Sequence, residues 1–168
     1  MSRKHLHLPD FVAALCAIAD KHRIPHDRLE IEVTENIYYE DLDQMSQVIV
    51  QLKQAGFTVS MDDFGAGYSS LNLLKELPID VLKLDAQFLN ERQMTAKGAE
   101  ITRSVVHMAQ HIHLDVICEG VETAEQVEFL KSIGCDKAQG FYYYPPLPEA
   151  EFLQIYLEQH AGGEAEDA

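Results

Sequence analysis

The sequence predicts an α/β fold in which parallel strands are joined by helical crossovers. Short apolar strands alternate with helices of about 10–15 residues along the 168-residue chain. Polar side chains follow several strands at their carboxyl ends, the edge where (β/α) barrels place their active sites. A closed barrel of this kind needs about eight strands, and only five are recognisable, so we predict an incomplete TIM-like (β/α) barrel. A doubly wound sheet would more often carry a glycine-rich phosphate loop after its first strand, and none is present.

The first half of the chain is predicted to form three helices and two strands. A helix over 9–22 carries one apolar stripe, and residues 29–34 alternate as a half-buried strand does. Residues 41–55 again have helical spacing, up to a glycine that ends the helix. Residues 57–62 form the second strand, and a short helix over 69–76 ends before a proline.

The second half continues the same alternation. VLKLD, residues 81–85, is the third predicted strand, and residues 97–112 present one apolar helical face. LDVICE, residues 114–119, is the fourth strand. The helix over 123–134 begins with the T-x-x-Q spacing of a capping box and ends at a glycine. The remaining predicted elements are a short fifth strand and a last helix, over 135–139 and 148–158.

Composition indicates one globular domain. The hydrophobic fraction of 46% is sufficient for a core, and we expect the domain to span residues 1–158. The small, acidic segment over 159–168 is predicted to be a disordered tail. Three cysteines without paired spacing favour a reducing compartment, and we expect a cytoplasmic location.

The chain is strongly acidic, with a formal net charge of −15 at pH 7. Surfaces that bind DNA, RNA or an anionic membrane need clustered lysine and arginine, so we predict none of these partners. No run of about 18 apolar residues is present, and no membrane span is expected. The charge instead suits a protein that concentrates cations at carboxylate clusters.

The segment FTVSMDDFGAGYSSL, residues 57–71, carries the strongest chemical signal. Asp62 and Asp63 end the second predicted strand, and adjacent carboxylates repel each other unless a cation lies on or between them. The glycines that follow allow a sharp turn and a close approach to a ligand. An ordinary strand-to-helix turn with aspartate as the helix cap is an alternative of comparable weight for this pair alone.

Carboxylates at three strand ends strengthen the metal interpretation. Glu32, Asp62, Asp63 and Glu119 would converge on hard cations such as Mg²⁺ or Mn²⁺. Two such ions about 3.5–4 Å apart would clamp the attacking water and the phosphate of a phosphodiester, and Lys83 would stabilise charge there. Taken singly, Glu32 and Lys83 suit structural ion pairs better; their placement at one edge of the sheet favours a site.

Five segments occur in the order and spacing of the bacterial EAL domain: LEIEVTEN, MDDFGAGYSSL, VLKLD, ICEGVE and AQGFYYYPP. The chain resembles this family of cyclic di-GMP phosphodiesterases over about residues 1–158. The resemblance implies a TIM-like barrel with one strand reversed. It also implies hydrolysis of cyclic di-GMP to linear pGpG with two Mg²⁺ or Mn²⁺ ions.

The resemblance implies roles for individual residues. Glu32 looks like a ligand of the first metal, and Asp62 like the aspartate that bridges the two metals. Asp63 and Glu119 look like second-metal groups. Lys83 resembles the lysine that contacts the nucleophilic water.

Further matches lie around this set. Gln139 resembles the glutamine near the site, and Glu122 resembles a glutamate that supports it. Glu35 resembles the glutamate that anchors the loop over 64–70. In the family this loop is associated with dimerisation and with regulation of activity. The loop residues expected to share that role are Phe64, Gly65, Gly67 and Ser69.

One departure from the family affects the expected activity. No Glu-Ala-Leu tripeptide occurs in the expected context, and the family's metal-binding asparagine is also missing. We therefore expect the first-metal site and part of the guanine pocket to be incomplete, and hydrolysis by this chain alone to be weak or absent. The alternative is a non-catalytic EAL-type module that binds cyclic di-GMP or a protein partner.

The incomplete barrel also predicts self-association. The strands over 29–34 and 135–139 would be sheet edges, and such edges are free to pair with another chain. We therefore expect a homodimer or another self-associated form. A different metal-dependent TIM-barrel lyase or hydrolase remains a third interpretation, which the combined motifs disfavour.

Overall fold

A computed structural model describes residues 10–34, 42–66, 71–90, 95–135 and 137–160. Three residues named above, Glu35, Gly67 and Ser69, lie outside these ranges. So does nearly all of the predicted tail.

The five strands of the described ranges form one parallel sheet whose order follows the chain. Every neighbouring pair is parallel, as expected for successive βα units with helical crossovers. Within these ranges the sheet is open, because the first and last strands each have one neighbour. The strands are β1 (Glu30–Thr34), β2 (Thr58–Phe64), β3 (Val81–Leu84), β4 (Asp115–Cys118) and β5 (Lys137–Ala138).

The six α-helices of the described ranges alternate with these strands. Two short 3₁₀ helices, His26–Arg28 and Ala86–Leu89, precede β1 and follow β3. The observed bounds of strands and helices lie within two residues of the predicted ones. The helices are α1 (Phe11–Lys21), α2 (Leu42–Gln54), α3 (Leu71–Glu76), α4 (Ala96–His111), α5 (Ala124–Ser132) and α6 (Glu149–His160).

The capping box at the start of α5 is present as predicted. The Thr123 hydroxyl accepts a hydrogen bond from the Gln126 backbone N–H, and the Gln126 side chain accepts one from the Thr123 N–H. The amide of Gln126 also donates to Leu89 O at 2.9 Å. The cap therefore ties α5 to the 3₁₀ helix after β3.

Alternation along the strands gives the sheet two different faces. One face is apolar and packs against the helices in a core that includes Val33, Val59, Met61, Leu82 and Leu84, all buried. The strand register places other side chains on the opposite face, which is the interior side of a (β/α) barrel. The polar residues on this face include Glu32, Ser60, Asp62 and Lys83.

Among the residues described, every helix is too short or too polar to cross a lipid bilayer.

Candidate functional site

A β-bulge places Asp62 and Asp63 at the end of β2. Met61 pairs with Leu82 but Phe64 pairs with Leu84, so β2 uses one more residue than β3 over this stretch. Asp63 adopts φ 58°, a left-handed conformation that aspartate tolerates better than most residues. In a regular strand adjacent side chains would point to opposite faces. The bulge allows both carboxylates to reach the same side.

The bulge also corrects the predicted end of the strand. Phe64, expected as the first loop residue, is the last residue of β2 and is buried. The Asp85 N–H donates to Phe64 O at 3.1 Å, which continues the ladder to the end of both strands. The turn into the loop therefore starts at Gly65.

The turns that follow Asp63 and Glu119 both pack against the 3₁₀ helix Ala86–Leu89. Gly65 has φ 99°, and a Cβ there would collide with the Phe88 ring. Gly120 has φ 67°, and a Cβ there would collide with Ala86. Glycine is required at both positions for the backbone angle and for the space, so this helix sets how the two turns lie relative to each other.

Glu119 is brought to the aspartate pair by the ladder between β3 and β4. Its backbone N–H donates to Leu84 O at 2.9 Å. One carboxylate oxygen from each of Asp62, Asp63 and Glu119 can be chosen so that all three lie within 4.8 Å of one another. The structure thus brings together three of the four predicted metal ligands.

Lys83 occupies the centre of the site. Its side chain is only 7% exposed, and its Nζ lies 2.5 Å from Glu32 Oε1 and 2.7 Å from Glu119 Oε1. It lies 3.5 Å from Asp62 Oδ1, which is an ion-pair distance without a hydrogen bond. Asp63 lies beside Asp62 and Glu119, so the cluster holds four carboxylates and one ammonium, a formal charge of −3 that favours a divalent cation.

These neighbours determine the protonation of the lysine. Burial acts to lower the pKa of Lys83. Hydrogen bonds to Glu119 and Glu32, with the negative charges of Glu119 and Asp62, outweigh burial and raise that pKa above its ordinary value. Lys83 is therefore held as a cation at neutral pH in the metal-free protein.

Glu119 is affected in the opposite sense. Burial raises the pKa of its carboxyl, and the negative charges of Asp62 and Glu32 add to the rise. The Lys83 ammonium opposes it without cancelling it. A carboxyl in this position is destabilised as an anion until a further cation arrives.

The donor set fits a hard divalent ion. Asp62 Oδ1 is buried and has no hydrogen-bond partner among the described residues, a costly arrangement that an ion would relieve. Carboxylate oxygens alone suit Mg²⁺, Mn²⁺ or Ca²⁺ rather than softer metals. Asp62, Asp63 and Glu119 would hold such an ion. Glu32 is ion-paired with Lys83, and its role as a ligand stays a prediction.

A cavity of about 310 Å³ adjoins this cluster and contains the other predicted residues. Glu119, Glu122 and Gln139 all line it. The Gln139 N–H donates to Cys118 O at 2.8 Å, so the backbone ladder holds Gln139 beside Glu119.

Sequence reasoning missed Asp85. It lines the same cavity, and one carboxylate oxygen caps the 3₁₀ helix by accepting the Gln87 N–H at 2.8 Å. Its place at the end of VLKLD, two residues after Lys83, was the signal that could have identified it.

An apolar groove of about 410 Å³ shares Gln139, Gly140 and Phe141 with this cavity. Aromatic and proline side chains line the rest of it, and the Phe141 side chain is well exposed. Carboxylates and an aromatic surface thus lie next to each other. The other lining residues include Tyr144, Pro145, Pro146, Phe152, Ile155 and Tyr156.

The profile of the EAL domain matches residues 1–146. The chain is similar to the cyclic di-GMP phosphodiesterase NbdA of Pseudomonas aeruginosa, with 42% identity over 131 residues, 76% of this chain and 17% of NbdA. The chain spans about a fifth of the length of the curated relatives it matches.

Solved structures agree with this match. The EAL domain of Mycobacterium smegmatis DcpA superposes with a TM-score of 0.86 at 32% identity, over 92% of this chain and 69% of that one. Klebsiella pneumoniae BlrP1 in a calcium and cyclic di-GMP complex superposes with a TM-score of 0.76 at 36% identity, over 82% of this chain and 35% of that one. The predicted TIM-like α/β fold is confirmed, and this chain belongs to the EAL domain family.

Proposed function

We propose that this chain carries a metal-dependent phosphodiesterase site that opens cyclic di-GMP to linear pGpG in bacterial second-messenger signalling. The observation that carries the proposal is the convergence of Asp62, Asp63 and Glu119 beside the buried Lys83. The similarity to cyclic di-GMP phosphodiesterases such as NbdA supports the choice of substrate.

Metal binding is assigned to the carboxylates. Glu32 would serve as a ligand of the first ion, Asp63 and Glu119 as ligands of the second, and Asp62 as a ligand of both. Bound Mg²⁺ or Mn²⁺ would polarise the scissile phosphate and lower the pKa of the attacking water.

Lys83 would act by charge rather than by proton transfer. Its pKa is raised in the metal-free protein, which holds it as an ammonium rather than as a neutral amine. Its ammonium, fixed by Glu119, would instead stabilise negative charge on the attacking water or the phosphate.

Substrate binding is assigned to the cavity and the adjoining groove. Glu122 and Gln139 line the cavity next to the carboxylates, where they would support the site and orient the ligand. Aromatic faces such as those of Phe141 and Tyr144 suit the stacking of guanine bases. A bound cation would offset the acidic charge that otherwise repels the phosphates.

Activity of the chain by itself would be weak or absent. The Glu32 carboxylate, a predicted first-metal ligand, is paired with Lys83 in the metal-free protein, which supports this expectation. We also propose that the chain works as a homodimer in the cytoplasm, with the loop over 64–70 coupling dimerisation to the site through residues such as Gly65. Exposed Leu71 and Ile101 support self-association, as do β1 and β5, which form the edges of the sheet within the described ranges.

A second candidate function is a non-catalytic module that binds cyclic di-GMP or a protein partner. The ion pair between Glu32 and Lys83 favours it, because it occupies a carboxylate that two-metal chemistry would need. Such a module would keep the aromatic groove and bind the ligand without cleaving it.

Turnover of cyclic di-GMP by the purified chain separates the two. We expect slow formation of pGpG with Mg²⁺ or Mn²⁺, abolished in Asp63→Asn, which keeps the shape of the side chain but loses its charge. Product from both proteins at the same rate would place the activity elsewhere. No product, together with binding of labelled cyclic di-GMP, would support the non-catalytic module.

A further inference from the structure

Ser60 is a buried polar residue that the proposed chemistry does not use. It lies on β2 two residues before Asp62, so both side chains are on the interior face of the sheet. Ser60 is 0% exposed, and among the described residues its Oγ has no hydrogen-bond partner. A buried hydroxyl in this state is unusual and destabilising.

Within the described part of the chain, two further polar groups near Ser60 lack a full set of hydrogen bonds: the ammonium of Lys83 and the Oδ1 atom of Asp62. The strand register places Ser60 between Glu32 on β1 and Val81 on β3. Lys83 follows Val81 on the same face of β3. An ammonium has three N–H groups, and the short contacts of Lys83 to Glu32 and Glu119 use two of them.

The third polar group is Asp62 Oδ1. It is buried without a hydrogen bond, although Lys83 Nζ is 3.5 Å away. The third N–H of Lys83 on β3 can donate a hydrogen bond, and the Ser60 hydroxyl and Asp62 Oδ1 on β2 can accept one. All three groups therefore lie on the same face of neighbouring strands. Buried waters in proteins typically make about three hydrogen bonds to groups that lack other partners.

We propose that Ser60 is a positioning residue of this site, and that its hydroxyl, Asp62 Oδ1 and the third N–H of Lys83 bind one ordered water below the carboxylates. The water holds the Asp62 carboxylate in the orientation needed for the metal. Outer contacts of this kind orient ligands and tune metal affinity. The effect of Ser60 on metal binding rests on the proposed function. The bound water rests only on the three polar groups described above.

Ser60→Ala distinguishes this water from an idle buried hydroxyl by the sign of its effect on stability. Removing a hydroxyl that has no partner would raise the Tm of the metal-free protein. Removing one that holds a water would leave Asp62 and Lys83 without that partner, and we expect the Tm to fall by about 2–4 °C. An unchanged or higher Tm would overturn the water site.

The positioning role is tested by titrating the protein with Mn²⁺. Binding is measured by calorimetry or by the loss of the electron paramagnetic resonance signal of free Mn²⁺. We expect Ser60→Ala to weaken the apparent Kd for Mn²⁺ by about tenfold relative to the wild type. Ser132→Ala is the matched control, because it deletes a hydroxyl that only donates to Phe129 O at the end of α5. Its Mn²⁺ affinity should match the wild type.

The outcomes separate this inference from the proposed function. If the wild type binds Mn²⁺ and Ser60→Ala binds it equally well, only the role of Ser60 is overturned. If the wild type binds no Mn²⁺, the proposed function fails and the positioning role fails with it. The Tm of the metal-free variant still decides whether Ser60 holds a water.

Discussion

At the scale of the residue, the site depends on how one buried ammonium is shared. Lys83 contacts Glu32, Glu119 and Asp62 from the floor of the site. Removing it would leave three carboxylates with no cation among them. Such groups repel one another and resist burial, so Lys83 stabilises the fold when no metal is bound.

We predict that Lys83→Met lowers the free energy of unfolding of the metal-free protein by about 2 kcal/mol. Loss of a buried ion-pair partner costs more than this, but Glu32 is half exposed and keeps part of its hydration. Denaturant unfolding in a chelator measures the change. Any hydrolysis of cyclic di-GMP should also fall by about 100-fold or more.

Lys131→Met is the control for that variant. Lys131 pairs with Glu128 at 3.0 Å on the exposed surface of α5, and such pairs contribute little. We expect a change within about 0.5 kcal/mol. Equal effects of the two substitutions would contradict the structural role assigned to Lys83.

At the scale of the element, the short 3₁₀ helix Ala86–Leu89 organises the site more than any long helix does. Its Phe88 packs against the turn at Gly65, and its Ala86 packs against the turn at Gly120. It is also fixed to α5 through Leu89 O and to α4 through Phe88 O, which accept from Gln126 and Thr102 respectively. The two turns that carry Asp63 and Glu119 thus share one support.

Gly65→Ala tests this support, and Gly134→Ala is its matched control. Both glycines have positive φ, 99° and 74°, but a Cβ at Gly134 would meet nothing within 4 Å. Each variant should lose about 1–2 kcal/mol of unfolding free energy from the backbone angle. Gly65→Ala should lose more, because the new methyl meets Phe88, and it alone should weaken Mn²⁺ binding. Thermal unfolding and a Mn²⁺ titration measure both effects, and weakened binding in Gly134→Ala would contradict the explanation.

Features of this site that depend on residues close together in the sequence could be predicted, and features that depend on residues far apart could not. Apolar periodicity and the capping box at Thr123 are local, so the strands and helices of the described ranges were predicted within two residues. The bulge at Asp63 and the helix Ala86–Leu89 depend on contacts such as that between Gly65 and Phe88, which no local pattern reveals. For the same reason the strand was predicted to end before Phe64. Asp85 was missed although its place at the end of VLKLD is a local signal.

The site residues divide in the same way. Strand ends on one edge predicted that Asp62, Asp63, Lys83 and Glu119 would meet, and the structure confirms that proximity. That Lys83 would take Glu32 as its shortest carboxylate contact could not be predicted, because it depends on side-chain geometry across three strands.

At the scale of the whole molecule, the described sheet is an open arc of five strands rather than a closed barrel. Its interior face carries Glu32, Ser60, Asp62 and Lys83, and within the described ranges β1 has a neighbouring strand on one side only. Open edges of this kind favour pairing with another chain. The chain should therefore be most stable when that edge and the exposed apolar surface are covered.

We predict that the purified chain self-associates, with a dimer or larger species whose population rises with protein concentration. Sedimentation or light scattering over a range of concentrations measures this, and the Tm should rise with concentration as well. A strictly monomeric species that unfolds cooperatively at a Tm independent of concentration would contradict the prediction.

The most direct test of the account is the position of a bound metal. The central claim is that Asp62, Asp63 and Glu119 hold a divalent cation beside Lys83. We predict that a crystal structure of the chain with Mn²⁺ will show an anomalous peak within about 2.0–2.6 Å of an oxygen from each of these carboxylates. A peak only at other residues, or none at saturating Mn²⁺, would contradict the claim.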